Sequence, residues 1–377
     1  MERRIMSETS SKPAESLIFP AALLRERVLS ALRDAGADEK SAAAATRAMM
    51  HASRIGVDSH GVRLTAFYAE SLRSGQINGS PTLTIRRTAA ATAMLDADHG
   101  LGHAAAYAGM EEACRIAKES GIGAVGITHS THFGAAGAYA LAGAEAGFIA
   151  VSTTNADSLV ALHGGAERFH GTNPIAAAAP VRDSRPWLLD MATSAIPYNR
   201  VLLFRSLQKD LPAEIAADIH GEPTRDPHLA EILTPLGGAG FGFKGAGLAG
   251  LVTILSAALT GATPDPFVLP MGAGHGERHD IGHFCLAVDP ERFVGRETYE
   301  ALMAQYLAAL RASPARQGET VLAPGDREWR TMAERDRTGI PVDPDTARFL
   351  ELAWSCAYSS VRPRREGNGT LASSALR

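Results

Sequence analysis

Gly123-Ala-Val-Gly-Ile-Thr128, His129-Ser-Thr-His-Phe-Gly134, the small-residue run Ala135 to Ala146 and Phe148-Ile-Ala-Val-Ser-Thr153 follow one another almost without a gap. The first and last are short apolar runs of strand length, and the middle two read as a turn and a helix. Strand, helix and strand within about thirty residues make a βαβ-type unit, which predicts parallel strands and an α/β fold.

Working outward, apolar residues recur at helical spacing from Leu23 to Leu32. A second helix is predicted over Glu39 to Arg54, stopped by Gly56. Helical spacing resumes through Leu64, Phe67, Tyr68 and Leu72. Two short strands follow, at Thr84-Ile85 and Ala93 to Asp96, and then a helix from Gly102 to Glu119. Beyond the central unit, Pro174 to Pro180 and Trp187 to Met191 are candidate strands. Lys244 to Leu259 reads as a helix, as do the segment around Leu302 to Leu310 and Asp345 to Ala357. No repeat is apparent.

The 377 residues are 45% hydrophobic and 21% charged, ordinary for a globular chain able to bury a large core. A net charge of -4 with scattered basic residues excludes a nucleic-acid surface. Arg362, Arg364 and Arg365 cluster only in the tail. Three unpaired cysteines, Cys114, Cys285 and Cys356, suit a reducing cytoplasm. No cleavable leader follows Arg3 and Arg4. The longest apolar run, Leu248 to Ala262, falls short of the ~20 residues a bilayer requires and is expected to be a buried helix, so no membrane association is expected.

Gly240-Phe-Gly-Phe-Lys-Gly245 matches GxGxxG, yet no good strand precedes it and no acidic residue appears before Asp265. It therefore fails the dinucleotide fingerprint. Lys244 in a glycine-rich turn opening a helix still suits an anion such as a pyrophosphate, or the glycines merely permit a tight turn. His129 with His132, His99 with His103, and His275, His279 and His283 are spaced as metal ligands could be. The glycines around the last trio argue against a helix there, and no metal is expected. No GxSxG elbow or phosphate-binding GxxxxGK[ST] loop is present.

Gly56-Val-Asp-Ser-His-Gly-Val-Arg63 lies just after a helix stop. Histidine as a residue type titrates near neutral pH, so His60 is a candidate to exchange a proton where hydride arrives or leaves. Arg63 can present a bidentate fork to a carboxylate. A His-Gly pair in a loop also suits a purely structural role.

Seven segments in register resemble the non-Rossmann malate/L-lactate dehydrogenase family, which includes ureidoglycolate, sulfolactate and 2,3-diketogulonate oxidoreductases and cyclic ketimine reductases. They are Gly56 to Arg63, His132 to Tyr139, Gly164 to Glu167 with Gly171 to Pro174, Asp190 to Ser194, Gly242 to Leu248, Gly282 to Pro290, and Pro324 to Asp326 with Gly339 to Asp343. The resemblance implies an α/β fold with a mixed sheet that binds NAD or NADP without a Rossmann loop, plus a helical region formed by the N- and C-terminal segments. It implies a homodimer with the active site near the subunit interface. His60 matches the family's acid/base histidine, with Ser59 and Arg63 beside it. His132 matches a second histidine at the nicotinamide end and ranks behind His60. Asp190 stands among the catalytic candidates. Ser59, Ser152, Thr153, Asn155, Thr172, Asn173, Asp190, Met191, Ala192 and Lys244 are expected along the dinucleotide. Arg168 and Arg182 are candidates for a 2′-phosphate.

The expected organisation is a disordered extension over 1–17 and a helix-rich substrate and dimerisation region over 18–120 with 297–360. A dinucleotide-binding α/β region spans 121–296, and a loose tail 361–377. One departure stands out: where the family continues from Asp190-Met-Ala-Thr-Ser194 with small residues and a glycine, this chain has Ala195-Ile-Pro-Tyr-Asn-Arg200. That stretch either reshapes the pocket or changes a surface contact. The expected activity is hydride transfer between NAD(P) and the C2 carbon of a small carboxylate, a 2-oxo or 2-hydroxy acid. The alternatives are reduction of a cyclic 2-imino acid, a catalytically silent small-molecule-binding homologue, and a metal hydrolase built on the histidines.

Overall fold

A computed structural model describes residues 17–206, 208–271 and 277–352. The expected extension up to residue 16, His275, Cys356 and the arginine-bearing tail lie outside the described residues. Leu17 already belongs to a strand.

The chain begins with β1 (Leu17–Phe19), α1 (Ala21–Asp34), α2 (Glu39–Arg54) and α3 (Thr65–Arg73). Leu24, Val28, Leu32, Met49 and Tyr68 put their apolar faces into one core, and Asp38 caps α2 by accepting from the Ser41 N–H at 2.7 Å. Next come β2 (Thr84–Ala89), β3 (Thr92–Asp96), α4 (Gly102–Ser120), β4 (Ile122–Ser130), α5 (Gly137–Glu145) and β5 (Ile149–Thr154). After β6 (Val160–Ala161) and β7 (Arg168–His170), the chain adds β8 (Ile175–Ala179), β9 (Trp187–Met191) and α6 (Tyr198–Ser206). The remainder is β10 (Ala216–Ala217), β11 (Ile232–Leu233), α7 (Gly238–Thr253), β12 (Ile281–Val288), α8 (Arg296–Arg311), α9 (Asp326–Thr338), β13 (Ile340–Val342) and α10 (Pro344–Phe349).

Seven strands form the main sheet in the order β2-β3-β4-β12-β5-β8-β9, and a small sheet runs β10-β11-β6-β7. α4 and α5 cover one face of the main sheet. Their small residues let helix and sheet approach closely: a Cβ on Gly109 of α4 would stand 2.6 Å from Ile127 Cδ1 of β4. β1 pairs antiparallel with β13, so the N- and C-terminal segments join in one helical lobe.

Three expectations change. β4 and β5 point the same way, as the βαβ reading requires, but they are not neighbours. β12 enters between them, antiparallel to both, with His283 opposite Ile127 on one side and Thr154 on the other. The β3–β4 pair is the parallel one, and the sheet is mixed. Second, the apolar run expected to be a buried helix belongs to a longer helical stretch, Gly238–Ala258, of which only 33% of the most apolar window is buried. It is long and apolar enough to cross a membrane by length and composition, but it kinks at Phe241 (φ -133°) and lies along the sheet beside β12 and β5. Third, the last helix stops at Phe349, short of the expected Ala357, and Glu351 has φ +52°.

Candidate active site

After α2 the chain makes two single helical turns, Asp58–His60 and Val62–Leu64, before entering α3. Buried contacts hold this double turn. Val62 N–H donates to Ser53 Oγ at 2.9 Å, and a Cβ on Gly61 would lie 2.1 Å from that oxygen, so only glycine fits. From α9, the Arg335 guanidinium bridges Asp58 (Nη2 to Oδ2, 2.9 Å) and also reaches the Ser53 carbonyl. From α6, Asn199 Nδ2 donates to the Ser59 carbonyl at 3.2 Å.

The turn presents His60 to His132, which leaves β4 on the loop before α5. Their rings stack with centroids 5.9 Å apart. Ser59 Oγ sits 2.9 Å from His60 Nδ1. The buried Tyr68 hydroxyl lies 2.6 Å from His132 Nδ1, its one hydrogen-bond partner among the described residues. A buried phenol must place its proton, so Tyr68 donates to Nδ1 and the neutral His132 carries its own proton on Nε2. Tyr68 also packs edge-on against the fully buried His103 at 4.7 Å. Burial lowers His60 to about 4 and His103 to about 3. It lowers His132 well below 6.5, helped by His60 and other neighbouring histidines. At neutral pH both facing imidazoles are uncharged.

Arg63 is exposed and has no ion-pair partner among the described residues. Asp190, at the end of β9, accepts from the Gly137 N–H at 2.9 Å and so caps the start of α5. Burial pushes it up to about 6; the Gly137 hydrogen bond opposes that shift and Glu328 adds to it.

Of the residues expected along the dinucleotide, four are buried in the sheet. Thr153 Oγ1 meets Ser256 Oγ at 2.8 Å. Asn155 donates to the Thr263 carbonyl and accepts from the Gly282 N–H. Asn173 donates to Asp265, and the buried Ser152 Oγ has no hydrogen-bond partner among the described residues. Thr172, Met191 and Ala192 are half-buried. Lys244 is exposed in the first turns of α7, its ammonium 5.1 Å from the Phe241 ring. The GxGxxG stretch lies inside that helix, which agrees with its failed fingerprint. Lys244 has no carboxylate partner among the described residues, and the nearby Gly240 and Gly247 face open space. An unpaired cation at an uncapped, glycine-lined helix start fits a pyrophosphate. Arg168 and Arg182 are engaged by Glu231 and Glu300.

The histidines suspected of metal binding serve other ends. His129 pairs with Asp96, His99 donates to the His279 carbonyl, and His283 bonds Thr154 and Ser130. Among the described residues no group of three His, Cys, Asp or Glu is placed to hold a metal ion. Cys114 and Cys285 are buried thiols. A cleft of about 730 Å³ between α1, α2, α5 and α9 is lined by none of His60, Arg63, His132 and Asp190. Tyr68 and Arg335 escaped the sequence reading. Tyr68 looked like a core residue at helical spacing, and the polar tip that every buried tyrosine must satisfy was its only signal.

Paired imidazoles able to take and give a proton are what a dehydrogenase asks of its protein part, since the hydride belongs to the cofactor. The chain belongs to the malate/L-lactate dehydrogenase family, which matches residues 19–351. It is 36% identical over 323 residues to a malate dehydrogenase of Pyrococcus horikoshii, covering 84% of this chain and 88% of that protein. It is 30% identical over 346 residues to the ureidoglycolate dehydrogenase (NAD(+)) of Escherichia coli, covering 90% and 97%. The crystal structure of malate dehydrogenase from Entamoeba histolytica superposes with a TM-score of 0.85 at 28% identity, covering 89% of this chain and 97% of that one. The protein is a dehydrogenase.

Proposed function

We propose that the protein moves hydride between NAD or NADP and the C2 carbon of a 2-oxo or 2-hydroxy acid, with His60 as acid and base. The observation that carries this reading is the pair of neutral, facing imidazoles with opposite demands on their protons. Tyr68 fixes His132 as an Nε2–H donor, suited to hold the substrate oxygen. His60 is free to use Ser59 Oγ as the acceptor for Nδ1–H, which leaves Nε2 as the base for a hydroxyl proton. The reverse direction returns that proton to oxygen.

Arg63 holds the substrate carboxylate and fixes the reacting carbon. NAD(P), when bound, supplies or accepts the hydride. Lys244, Thr172, Met191, Ala192 and Ser59 line it. Asp190, Thr153, Asn155 and Asn173, each held by hydrogen bonds, stiffen the strand ends on which it rests, with Ser152 buried among them. Reduction of a cyclic 2-imino acid would use the same groups, with nitrogen in place of oxygen.

The working form is a cytoplasmic homodimer. Leu251 (47% exposed), Ile254 and Leu259 (both 59%) and Phe267 (76%) give α7 and its continuation an apolar outer face of the kind that a second copy covers.

The test is NAD(P)H oxidation across a panel pairing 2-oxo acids with cyclic imines. His60→Ala should lower kcat at least about 100-fold, the usual scale for losing a general acid–base. Full turnover in His60→Ala with loss in His132→Ala would reverse the two roles. No turnover by the wild-type protein with any 2-oxo or 2-imino acid would sink the reading.

A further inference from the structure

The loop that departs from the family pattern is firmly built. Ala195 N–H donates to the Thr234 carbonyl at 2.8 Å, Ser194 Oγ donates to the Ile196 carbonyl at 2.8 Å, and Arg200 N–H closes the first turn onto Pro197 at 2.9 Å. Ile196 and Tyr198 pack against Val160, Val201, Leu211 and Leu233, the core beneath the small sheet. Asn199 projects from this platform toward the helical lobe, where its Nδ2 reaches the Ser59 carbonyl. Facing a carbonyl oxygen, an amide can offer only its N–H, so the orientation of the side chain is determined. That carbonyl belongs to the peptide joining Ser59 to His60. Arg335 and Ser53 hold the same turn from the helical side, through Asp58 and Val62. Asn199 holds it from the opposite side and at the residue next to the imidazole.

We propose that Asn199 is a positioning residue for His60: by fixing the Ser59–His60 peptide it sets the direction of the imidazole and ties it to the 195–200 segment. The proposal rests on the proton-transfer role given to His60. Since Arg335 and Ser53 keep the turn folded, losing Asn199 misaims the ring without unfolding the site. A misplacement of a catalytic group by about 1 Å costs on the order of 100-fold.

Two variants separate hydrogen bonding from volume. Asn199→Ala should lower kcat about 10- to 100-fold, with KM for NAD(P)H changed by less than about two-fold. Asn199→Asp keeps the shape but turns a carboxylate toward the carbonyl. It should lose at least as much at pH 7, and its kcat relative to wild type at the same pH should climb as the carboxyl protonates below roughly pH 5 and regains a donor. Wild-type kcat in both variants overturns the proposal, as does an Asn199→Asp defect that is the same at every pH. The ¹H–¹³C resonance of the His60 ring, assigned with His60→Ala, gives a readout independent of turnover. It should move in Asn199→Ala, and an unmoved resonance overturns the proposal even if His60 proves not to be the acid/base.

Discussion

At the residue scale, the Tyr68 hydroxyl sets His132 apart from His60, and the proposed division of roles rests on it. The sequence ranks His60 ahead of His132 but does not say what each does, and burial lowers the pKa of both. What distinguishes them is the phenol 2.6 Å from His132 Nδ1. Tyr68→Phe keeps the ring packed against His103 but removes the proton that selects the His132 tautomer. It leaves a buried nitrogen unpaired, which costs about 1–3 kcal/mol. The expected result is a 10- to 100-fold lower kcat by roughly that arithmetic, with cofactor binding preserved. Steady-state kinetics and ¹⁵N shifts of His132 check it, and unchanged values of both would return the two histidines to equal standing. His60 and His132 were legible in the sequence because their types and flanking motifs carry chemistry. Tyr68 was not, because a tyrosine at helical spacing looks the same whether its hydroxyl meets solvent, a carbonyl or an imidazole.

At the element scale, α7 carries the sharpest expectation. An outward row of Leu251, Ile254 and Leu259 on a soluble monomer would be a solvation penalty without a purpose, whereas a second copy would bury it. Leu251→Asp combined with Ile254→Asp should shift the protein from dimer to monomer in sedimentation velocity. On the proposal that a second copy completes the site at His60, turnover should fall with it. A dimer that survives both charges overturns the role of α7. The same element shows why sequence patterning reached only part of the fold. The bounds of α2, Glu39 to Arg54, follow from local cues: Asp38 as cap, alanine-rich propensity, Gly56 as stop. The identities of β4 and β5 follow likewise. Their separation by β12 does not, since a strand about 130 residues downstream decides it and nothing in the 123–153 segment encodes which edge it will find. Exposure of α7 was hidden for a related reason: an apolar helix reads as core whether its cover is its own sheet or another chain.

At the scale of the whole molecule, the buried and half-buried histidines couple the fold to pH. His51 and His60 are lowered to about 4, and His103 and His283 to about 3, in every case chiefly by burial, and His132 is lowered as well. In the unfolded chain each takes up a proton near pH 6.5. Between 6.5 and the folded values the unfolded state therefore binds more protons, and folding stability falls as pH falls. Each such histidine steepens the slope by up to about 1.4 kcal/mol per pH unit. Asp190 acts in the opposite sense: raised to about 6, it holds a proton in the folded state that the unfolded chain releases, so its contribution grows on acidification over the same window. Burial also raises Asp157 and lowers His279, so two carboxyls stand against six imidazoles and the histidines remain dominant. Asp265, Asp326 and Asp336, held below the usual carboxylate range by their partners, add further loss only below about pH 4. Urea unfolding at pH 7, 6 and 5 should therefore show a free energy that is near its plateau at pH 7 and drops by several kcal/mol by pH 5, on the order expected from the linkage slope. Replacing His283, whose two ring nitrogens bond Thr154 and Ser130 inside the sheet, by Gln should lower stability at pH 7 yet flatten the dependence on pH. A pH-independent unfolding free energy between 7 and 5 would mean that water reaches these rings in the folded state, and the neutral-imidazole chemistry assigned to His60 would lose its physical basis along with the stability argument.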